Sequence, residues 1–234
     1  METKGRKSTN GFFKFPRTPH LFIAPELFIR DDKILDQSDM ELFLNNPIVL
    51  EEKVDGANIG ISLSESGSLQ IQNRGNFISY QNNSQFTHIW DWAYLRLNLI
   101  QKYITDEFII FGEWCYAKHS IHYTSLPDWF LGFDIFDKKR GIFLNTKNRN
   151  YLLKLMNIEI VPQIGEGYFS RIELEKLLSR STSKLYSGFI EGIYIRYEDS
   201  EQLLKRAKIV KSEFIQEIDI HWSNKKMVIN NIQS

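Results

Sequence analysis

The chain of 234 residues is long enough for one large domain or two small ones. Its 29 Lys and Arg balance 29 Asp and Glu, which argues against a generic nucleic-acid coat but permits a local basic groove. Aromatic residues make up 14% of the chain and must fill a core or line a groove. No apolar run has membrane-spanning length, and residues 1–10 lack a signal peptide's apolar stretch. The single cysteine, Cys115, excludes an internal disulfide and favours the reducing cytoplasm.

The first part of the chain predicts a tail, one helix and three strands. Residues 1–11 are expected to form a mobile tail, and residues 12–21, which hold two prolines, to be extended. Ser38-Asp-Met-Glu41 is a capping-box pattern that predicts a short helix ending near Asn46-Pro47. Apolar and alternating runs then predict strands over residues 48–54, 57–63 and 68–73.

The remainder predicts three helices and four more strands. Apolar residues at helical spacing predict an amphipathic helix over residues 84–103, and further helices are expected over 147–156 and from the capping box Ser170-Arg-Ile-Glu173 to about 179. Strands are predicted over residues 108–113, 129–136, 189–197 and 204–210. There is no internal repeat, low-complexity segment or clear linker. The expected fold is therefore one mixed α/β (α+β) domain over residues 12–234, with a largely antiparallel sheet.

The segment Lys53-Val54-Asp55-Gly56-Ala57-Asn58 joins an apolar run to an alternating one. A lysine at the end of such a run is usually a solvated strand end. It can instead be a nucleophile, if burial and nearby cations lower its pKa enough to populate the free amine. Gly56 lets the backbone turn closely beside a ligand, and Asp55 and Asn58 supply hydrogen-bonding groups near the amine.

Other polar residues stand where an apolar strand ends or begins. Glu113 ends a strongly apolar run, so it is either exposed to water or an acceptor for a ribose hydroxyl or a metal-bound water. His119 and His122 resemble half a metal site, but no cysteine pair with zinc spacing accompanies them, which favours structural or substrate-side roles. Phe133 is either a core residue or a ring that stacks on a purine.

Cationic residues occur at a turn and on the last predicted strand. Arg74 follows a strand and can reach a phosphate. Glu191 begins an alternating strand, where it can face a pocket. Arg206 and Lys208 share one face of the last strand, and Lys211 points oppositely if the strand stays regular. Two cations facing a lysine nucleophile would neutralise phosphate charge in a transition state and lower the pKa of that lysine.

Taken in order, six motifs resemble those of the covalent nucleotidyltransferases, which include ATP-dependent DNA and RNA ligases and messenger-RNA capping enzymes. They are Lys53-x-Asp-Gly-x-Asn58, Arg74-Gly75, Phe111-Gly-Glu113, Phe133-Asp-Ile135, Glu191-Gly-Ile-Tyr-Ile-Arg196 and Arg206-x-Lys208. The asparagine two residues after the glycine most resembles phage nick-sealing RNA ligases and editing ligases. The resemblance covers residues 14–220. It implies an antiparallel-sheet, ATP-grasp-like nucleotidyltransferase core with flanking helices and no C-terminal OB domain.

This resemblance implies an ATP-dependent RNA ligase that uses Mg²⁺ or Mn²⁺ and joins 3′-hydroxyl and 5′-phosphate ends through a lysyl–AMP intermediate. The implied catalytic residues are Lys53 as nucleophile, Asn58, Glu191 and Lys208. The implied cofactor-binding residues are Glu52, Lys53, Arg74, Glu113, Phe133, Glu191, Arg206, Lys208 and Lys211. In this scheme Glu113 binds ribose, Phe133 stacks on adenine and Lys208 contacts the α-phosphate. Glu113 and Glu191 would reach the metal ion through water.

Several points stay open within this resemblance. The family's last motif usually carries two lysines, whereas here its first position is Arg206, so the division of roles among Arg206, Lys208 and Lys211 is unsettled. The expected partner is nicked or broken RNA, with an RNA/DNA hybrid or DNA as alternatives, and no membrane. A second protein supplying a duplex clamp or an end-healing kinase is also expected. Alternative functions are a DNA nick ligase, a GTP-using capping-type enzyme and a non-catalytic nucleotide-binding repair module.

Overall fold

The computed structural model describes residues 11–23, 34–80, 86–216 and 227–233. The helices within these ranges are α1 (Gln37–Leu44), α2 (Thr87–Tyr94), α3 (Leu97–Tyr103), α4 (Thr146–Leu155), α5 (Arg171–Arg180) and α6 (Ser212–Gln216). The strands are β1 (Ile48–Glu52), β2 (Ala57–Leu63), β3 (Leu69–Asn73), β4 (Phe108–Trp114), β5 (Phe130–Asp137), β6 (Ile142–Leu144), β7 (Glu159–Ile160), β8 (Gln163–Gly167), β9 (Gly192–Glu198) and β10 (Gln202–Val210). In these ranges no helix combines the length and the apolar character that crossing a bilayer requires.

The sheet must curl because of how the chain connects two of its strands. The strand order is β3-β2-β4-β5-β6-β10-β9-β1-β8, with antiparallel neighbours, and β7 pairs in parallel with β5. β1 and β2 therefore lie six positions apart, which in a flat sheet would separate them by about 29 Å. Residues 53–56 join them and can bridge at most about 18 Å when fully extended. The sheet consequently folds over, and the connection that closes it contains Lys53.

Each half of the curled sheet has its own hydrophobic core. Ile59, Ile110 and Ile135 of β2, β4 and β5 pack with α2, α3 and α4. The second core joins β1, β9 and β10 to α1 and α5, through the side chains of Leu50, Ile193, Ala207, Phe43 and Leu174. On the opposite face, Phe15 of the N-terminal segment packs in one cluster with Phe111 of β4, Phe136 of β5 and Phe143 of β6. Alternation along the strands thus gives the sheet two buried faces.

The predicted fold class is confirmed, and several predicted elements need correction. The N-cap of α1 is Asp36, whose carboxylate accepts a bond from the Asp39 N–H at 2.8 Å, and not Ser38. The single helix predicted over residues 84–103 is two helices in the described part, separated by Leu95 and Arg96. The Arg96 side chain donates to the Asn157 carbonyl and the Asp128 carboxylate. The capping box at Ser170 is confirmed. Of the tail predicted over residues 1–11, residues 1–10 lie outside the described residues.

Three strands had no counterpart in the prediction. β6 and β7 have three and two residues, too few to show an alternating pattern. β8 has the sequence Gln-Ile-Gly-Glu-Gly, which is polar and rich in glycine. Its strand conformation comes from antiparallel pairing with β1, a long-range contact rather than a local preference.

A buried network of charged side chains crosses between the two halves of the sheet. Arg149 of α4 donates to Glu51 of β1 at 2.5 and 3.1 Å, and both side chains are inaccessible to solvent. Arg196 of β9 donates to Asp134 of β5 at 2.6 Å, and Arg206 reaches the other oxygen of Asp134 at 3.1 Å. Burial alone would lower the pKa of Arg196, but Asp134 and Glu51 raise it further than burial lowers it.

The Glu51–Arg149 pair generates a stability prediction. Arg149→Met removes both hydrogen bonds to the buried Glu51 carboxylate and leaves it, among the described residues, only Arg196 at 4.0 Å, so we expect the free energy of unfolding to fall by about 3–5 kcal/mol. The matched control is Arg140→Met, because Arg140 pairs with Glu201 through side chains that are 49% and 66% exposed. This control should lose less than about 1 kcal/mol. Urea unfolding measures both, and equal losses would contradict the importance of the network.

Candidate active site

The site is built around an ion pair between two residues 138 positions apart in sequence. Lys53 directly follows β1, and its backbone N–H donates to the Gly192 carbonyl at 3.0 Å. Its Nζ donates to Oε1 of Glu191 at 2.6 Å. Glu191 immediately precedes β9, the strand that pairs with β1, and is buried. The pairing of β1 with β9 therefore delivers the amine and the carboxylate to one place.

Carboxylates, rather than cations, dominate the electrostatics at the amine. Burial by itself lowers the pKa of Lys53, but the opposing charges of Glu191, Asp55 and Glu113 outweigh it and raise the pKa above its ordinary value of 10.5. The expectation of a lowered pKa is therefore wrong for this structure. One of the two expected cations, Arg206, has its guanidinium bound to Asp134.

Glu113 is a second perturbed group beside the amine. Burial raises the pKa of Glu113 to about 8, against the opposing effects of Lys53 and Arg74. The neighbouring carboxylates Asp55 and Glu191 contribute to this rise. Such a shift, caused by burial plus specific charged partners, is typical of functional sites.

Two buried carboxylate oxygens at this site accept no hydrogen bond from the described residues. Oε2 of Glu113 and Oε2 of Glu191 are buried and have no hydrogen-bond partner among the described residues. Asn58 lies opposite Glu113 across the β2–β4 pair. In the described ranges, no group of three or more His, Cys, Asp or Glu side chains forms a metal cage. The donor set suits Mg²⁺ or Mn²⁺ that keeps its water and phosphate ligands and touches one or two carboxylates.

Asp55 fastens the connection between β1 and β2 to a neighbouring segment. Its Oδ2 accepts bonds from the Ser120 N–H at 2.7 Å and the Ser120 hydroxyl at 2.6 Å. Its own N–H donates to the Tyr123 hydroxyl at 2.8 Å. Next to it, a Cβ on Gly56 would lie 2.7 Å from the Trp114 carbonyl oxygen, so only glycine fits this close approach.

Arg206 is held in the charge network described above. Besides its bond to Asp134, its guanidinium lies over the ring of Phe143 at 3.9 Å and near the ring of Phe15 at 4.8 Å. Its planar, permanently charged group suits this combination of stacking and ion pairing.

The two lysines that follow Arg206 occupy different surroundings. Lys208 of β10 pairs with Tyr194 of β9, and its charge lowers the pKa of Glu191. Lys211 donates its backbone N–H to the Glu191 carbonyl, while its amine lies 4.6 Å from the ring centre of Phe189. Burial lowers the pKa of Lys211.

The remaining predicted residues lie around this centre. The buried carboxylate of Glu52 accepts a bond from the Ser183 hydroxyl at 2.5 Å, and burial raises its pKa. Phe133 is partly exposed, with its ring 5.3 Å from Phe15 and 6.4 Å from Tyr194. Arg74 directly follows β3 and is exposed, and its charge lowers the pKa of Glu113. The structure therefore brings Lys53, Glu113, Glu191 and Lys208 together, while Glu52 and Arg206 bind protein groups.

A protein-family model described as RNA ligase matches residues 46–210, well over half of the chain and all six motifs. The chain belongs to the RNA ligase family. The matched segment includes residues 53–56 between β1 and β2, Glu113, Glu191 and β10.

Solved structures of the Naegleria gruberi RNA ligase share the fold of this RNA ligase family member. The structure with PPi aligns with a TM-score of 0.62 and 16% identity, over 88% of this chain and 64% of that chain. A mutant with ATP and Mn aligns with a TM-score of 0.59 and 14% identity, over 77% of this chain and 54% of that chain. A mutant with AMP and Mn aligns with a TM-score of 0.58 and 14% identity, over 76% of this chain and 54% of that chain. This chain thus spans about half to two thirds of the length of those proteins. No curated protein sequence matches it.

Some residues of the site were not found from the sequence. A Cβ on Gly192 would lie 2.5 Å from the Ile209 carbonyl oxygen and 3.3 Å from Cδ of Lys53, so this glycine makes room for the lysine side chain. The position of Gly192 next to Glu191 was the one feature of the sequence that could have indicated this role. Tyr123, Ser183 and Asn230 gave no local signal, because their contacts are with distant parts of the chain.

The raised pKa of Glu113 predicts a pH effect on stability. The folded protein holds a proton on Glu113 that the unfolded chain releases, so this group's stabilisation is complete below its ordinary pKa and declines as pH rises toward about 8. Glu113→Gln removes this titration. Its free energy of unfolding should therefore fall less than that of the wild type between about pH 5 and pH 9, measured by urea unfolding.

The control for this pH experiment is Glu107→Gln, since the Glu107 side chain is 43% exposed. It should keep the wild-type dependence on pH. If Glu113→Gln and the wild type lose stability in parallel over this range, Glu113 does not carry the proton.

Proposed function

We propose that this chain is the adenylation core of an ATP-dependent RNA ligase. Its reaction joins the 3′-hydroxyl and 5′-phosphate ends of nicked or broken RNA. The observation that carries the proposal is the position of Lys53 Nζ, 2.6 Å from Glu191 and beside the perturbed Glu113. The family membership of residues 46–210 supports the same reaction.

The proposed reaction consists of three steps, each of which forms one bond to phosphorus and breaks another. Nζ of Lys53 attacks the α-phosphorus of ATP, a nitrogen–phosphorus bond forms, and the bond to the leaving pyrophosphate breaks. A 5′-phosphate oxygen of the RNA then attacks this phosphorus and releases the lysine. Finally the 3′-hydroxyl attacks the activated 5′-phosphate and releases AMP. Covalent catalysis of this kind divides one difficult displacement into easier ones.

Lys53 must lose a proton before its amine can attack. Glu191 is in hydrogen-bond contact with Nζ, and burial raises its own pKa, so it is the acceptor we propose for that proton. Lys208, whose charge acts on Glu191, then faces the negative charge of the α-phosphate. Asn58, opposite Glu113 on the paired strand, is proposed to orient water at the same place.

The nucleotide and metal ion are assigned to the residues that retain free capacity. Glu113 is proposed to accept a ribose hydroxyl or a metal-bound water, and Glu191 a second metal-bound water. The partly exposed ring of Phe133 is proposed to stack on adenine. A bound Mg²⁺ or Mn²⁺ would supply positive charge to the triphosphate. Arg74, exposed near Glu113, is proposed to contact a phosphate or the RNA end.

Glu52, Arg206 and Lys211 are proposed to act on the cofactor indirectly. Glu52 binds Ser183, Arg206 binds Asp134, and the backbone of Lys211 binds the Glu191 carbonyl. Each therefore holds a neighbour of the site through the contact named.

The proposal extends to the cellular setting. One buried cysteine is consistent with a reducing compartment, so we propose the cytoplasm. Residues 12–234 are proposed to form one adenylation domain. Because sealing requires a 3′-hydroxyl and a 5′-phosphate, we also propose a companion activity that restores such ends, or a partner protein that clamps the duplex.

Labelling with α-labelled ATP and Mg²⁺ tests the activity directly. The wild type should acquire one labelled AMP per chain, and Lys53→Arg should acquire none, because an arginine does not lose its proton to become a nucleophile. The matched control is Lys147→Arg, at an exposed position in α4, which should label like the wild type.

The same assay separates the competing functions. Labelling by GTP in preference to ATP indicates a capping-type enzyme. Transfer of AMP to nicked DNA but not to nicked RNA indicates a DNA ligase. Folded wild-type protein that binds ATP yet is never labelled refutes the proposal and indicates a non-catalytic module.

A further inference from the structure

Residues 227–233, which we call the strap, lie along residues 115–126, which we call the Tyr123 segment. The strap forms an antiparallel bridge between Ile229 and Ala117 and a parallel bridge between Ile232 and Leu126. Five backbone hydrogen bonds of 2.8 to 3.0 Å join the two, with the donor–acceptor pairs Lys118–Val228, Asn230–Tyr116, Asn231–Tyr123, Leu126–Asn231 and Gln233–Leu126. The strap thus fixes the Tyr123 segment at both of its ends.

Asn230 is the buried residue of the strap. It is 1% exposed, whereas the apolar Met227 and Val228 are 51% and 48% exposed. Its Oδ1 accepts a bond from the Tyr123 N–H at 2.9 Å, and its Nδ2 donates to the Cys115 carbonyl at 2.8 Å. Packing alone would bury an apolar side chain here, so the choice of an amide is explained by these two bonds.

The Tyr123 segment in turn holds the connection that carries the nucleophile. The Tyr123 hydroxyl accepts the Asp55 N–H at 2.8 Å, and Ser120 donates twice to the Asp55 carboxylate. Lys53 lies two residues before Asp55. A continuous set of hydrogen bonds therefore runs from Asn230 through Tyr123 to the connection between β1 and β2.

We propose that Asn230 is a positioning residue for the attack of Lys53 on ATP, an inference that rests on the proposed function. It acts through Tyr123 and Asp55, and does not touch the reacting atoms itself. Removing its amide leaves the Tyr123 N–H and the Cys115 carbonyl buried without their partner, which loosens the segment. Displacement of a reacting group by about 1 Å can slow a reaction roughly 100-fold.

The test compares Asn230→Ala with Asn231→Ala in the full chain. Asn231 is exposed and contacts the Tyr123 segment through its backbone, which alanine preserves. In single-turnover labelling with excess ATP, Asn230→Ala should lower the rate constant by roughly 10- to 100-fold, with Asn231→Ala near the wild type. Partial unfolding would lower the labelled fraction instead, so the rate constant reports positioning. Equal rate constants for the two variants overturn the inference.

Tyr123→Phe tests the same path without emptying a core position. It removes only the hydroxyl that accepts the Asp55 N–H, and should slow labelling in the same manner. Because both residues act through one path, the double variant should be no slower than the slower single variant, within about 3-fold. Additive effects overturn the proposed path.

Hydrogen exchange of the Asp55 amide separates this inference from the proposed function. Exchange should accelerate in Asn230→Ala and Tyr123→Phe, but not in Asn231→Ala. A wild type that is never labelled refutes the ligase proposal, and with it the catalytic role of Asn230. Unchanged exchange at Asp55 overturns the positioning link whatever the labelling result.

Discussion

The connection of four residues between β1 and β2 is the constraint on which the rest of the structure depends. These strands are six positions apart in the sheet order. A connection this short is therefore possible only if the sheet curls over. Lys53 lies in that connection, which places its amine where the two halves of the sheet meet. The charged network of Glu51, Asp134, Arg149 and Arg196 links the same halves behind the site. The connection that closes the fold therefore also places the Lys53 amine.

The electrostatics of the site place the Lys53 amine among negative charges. Lys53 keeps its proton in the pair with Glu191, and Glu113 is largely protonated near neutral pH because burial raises its pKa to about 8. The attack proposed for Nζ therefore requires this proton to leave first. Cationic charge at Glu113 and Glu191 favours their ionised forms, which is the usual effect of a nearby metal ion.

Most of the fold class and the motif series could be predicted from the sequence, because they rest on local patterns. The capping box at Ser170 and the alternating strand from Gly192 are of this kind. The pKa of Lys53 was predicted in the wrong direction, because the rise comes from Glu191, Asp55 and Glu113, and only the folded chain brings Glu113 and Glu191 to the amine. Asn230 is 107 residues from Tyr123 and matches no local pattern.

The central claim is that Lys53 forms a covalent bond to AMP at the closing connection of the sheet. Mass spectrometry of peptides from protein incubated with ATP and Mg²⁺ tests it most directly. The account predicts an added AMP on the peptide that contains Lys53, with fragment ions that assign it to this lysine. An AMP group on another residue, such as Lys208, or no added AMP on folded protein that binds ATP, would contradict the account.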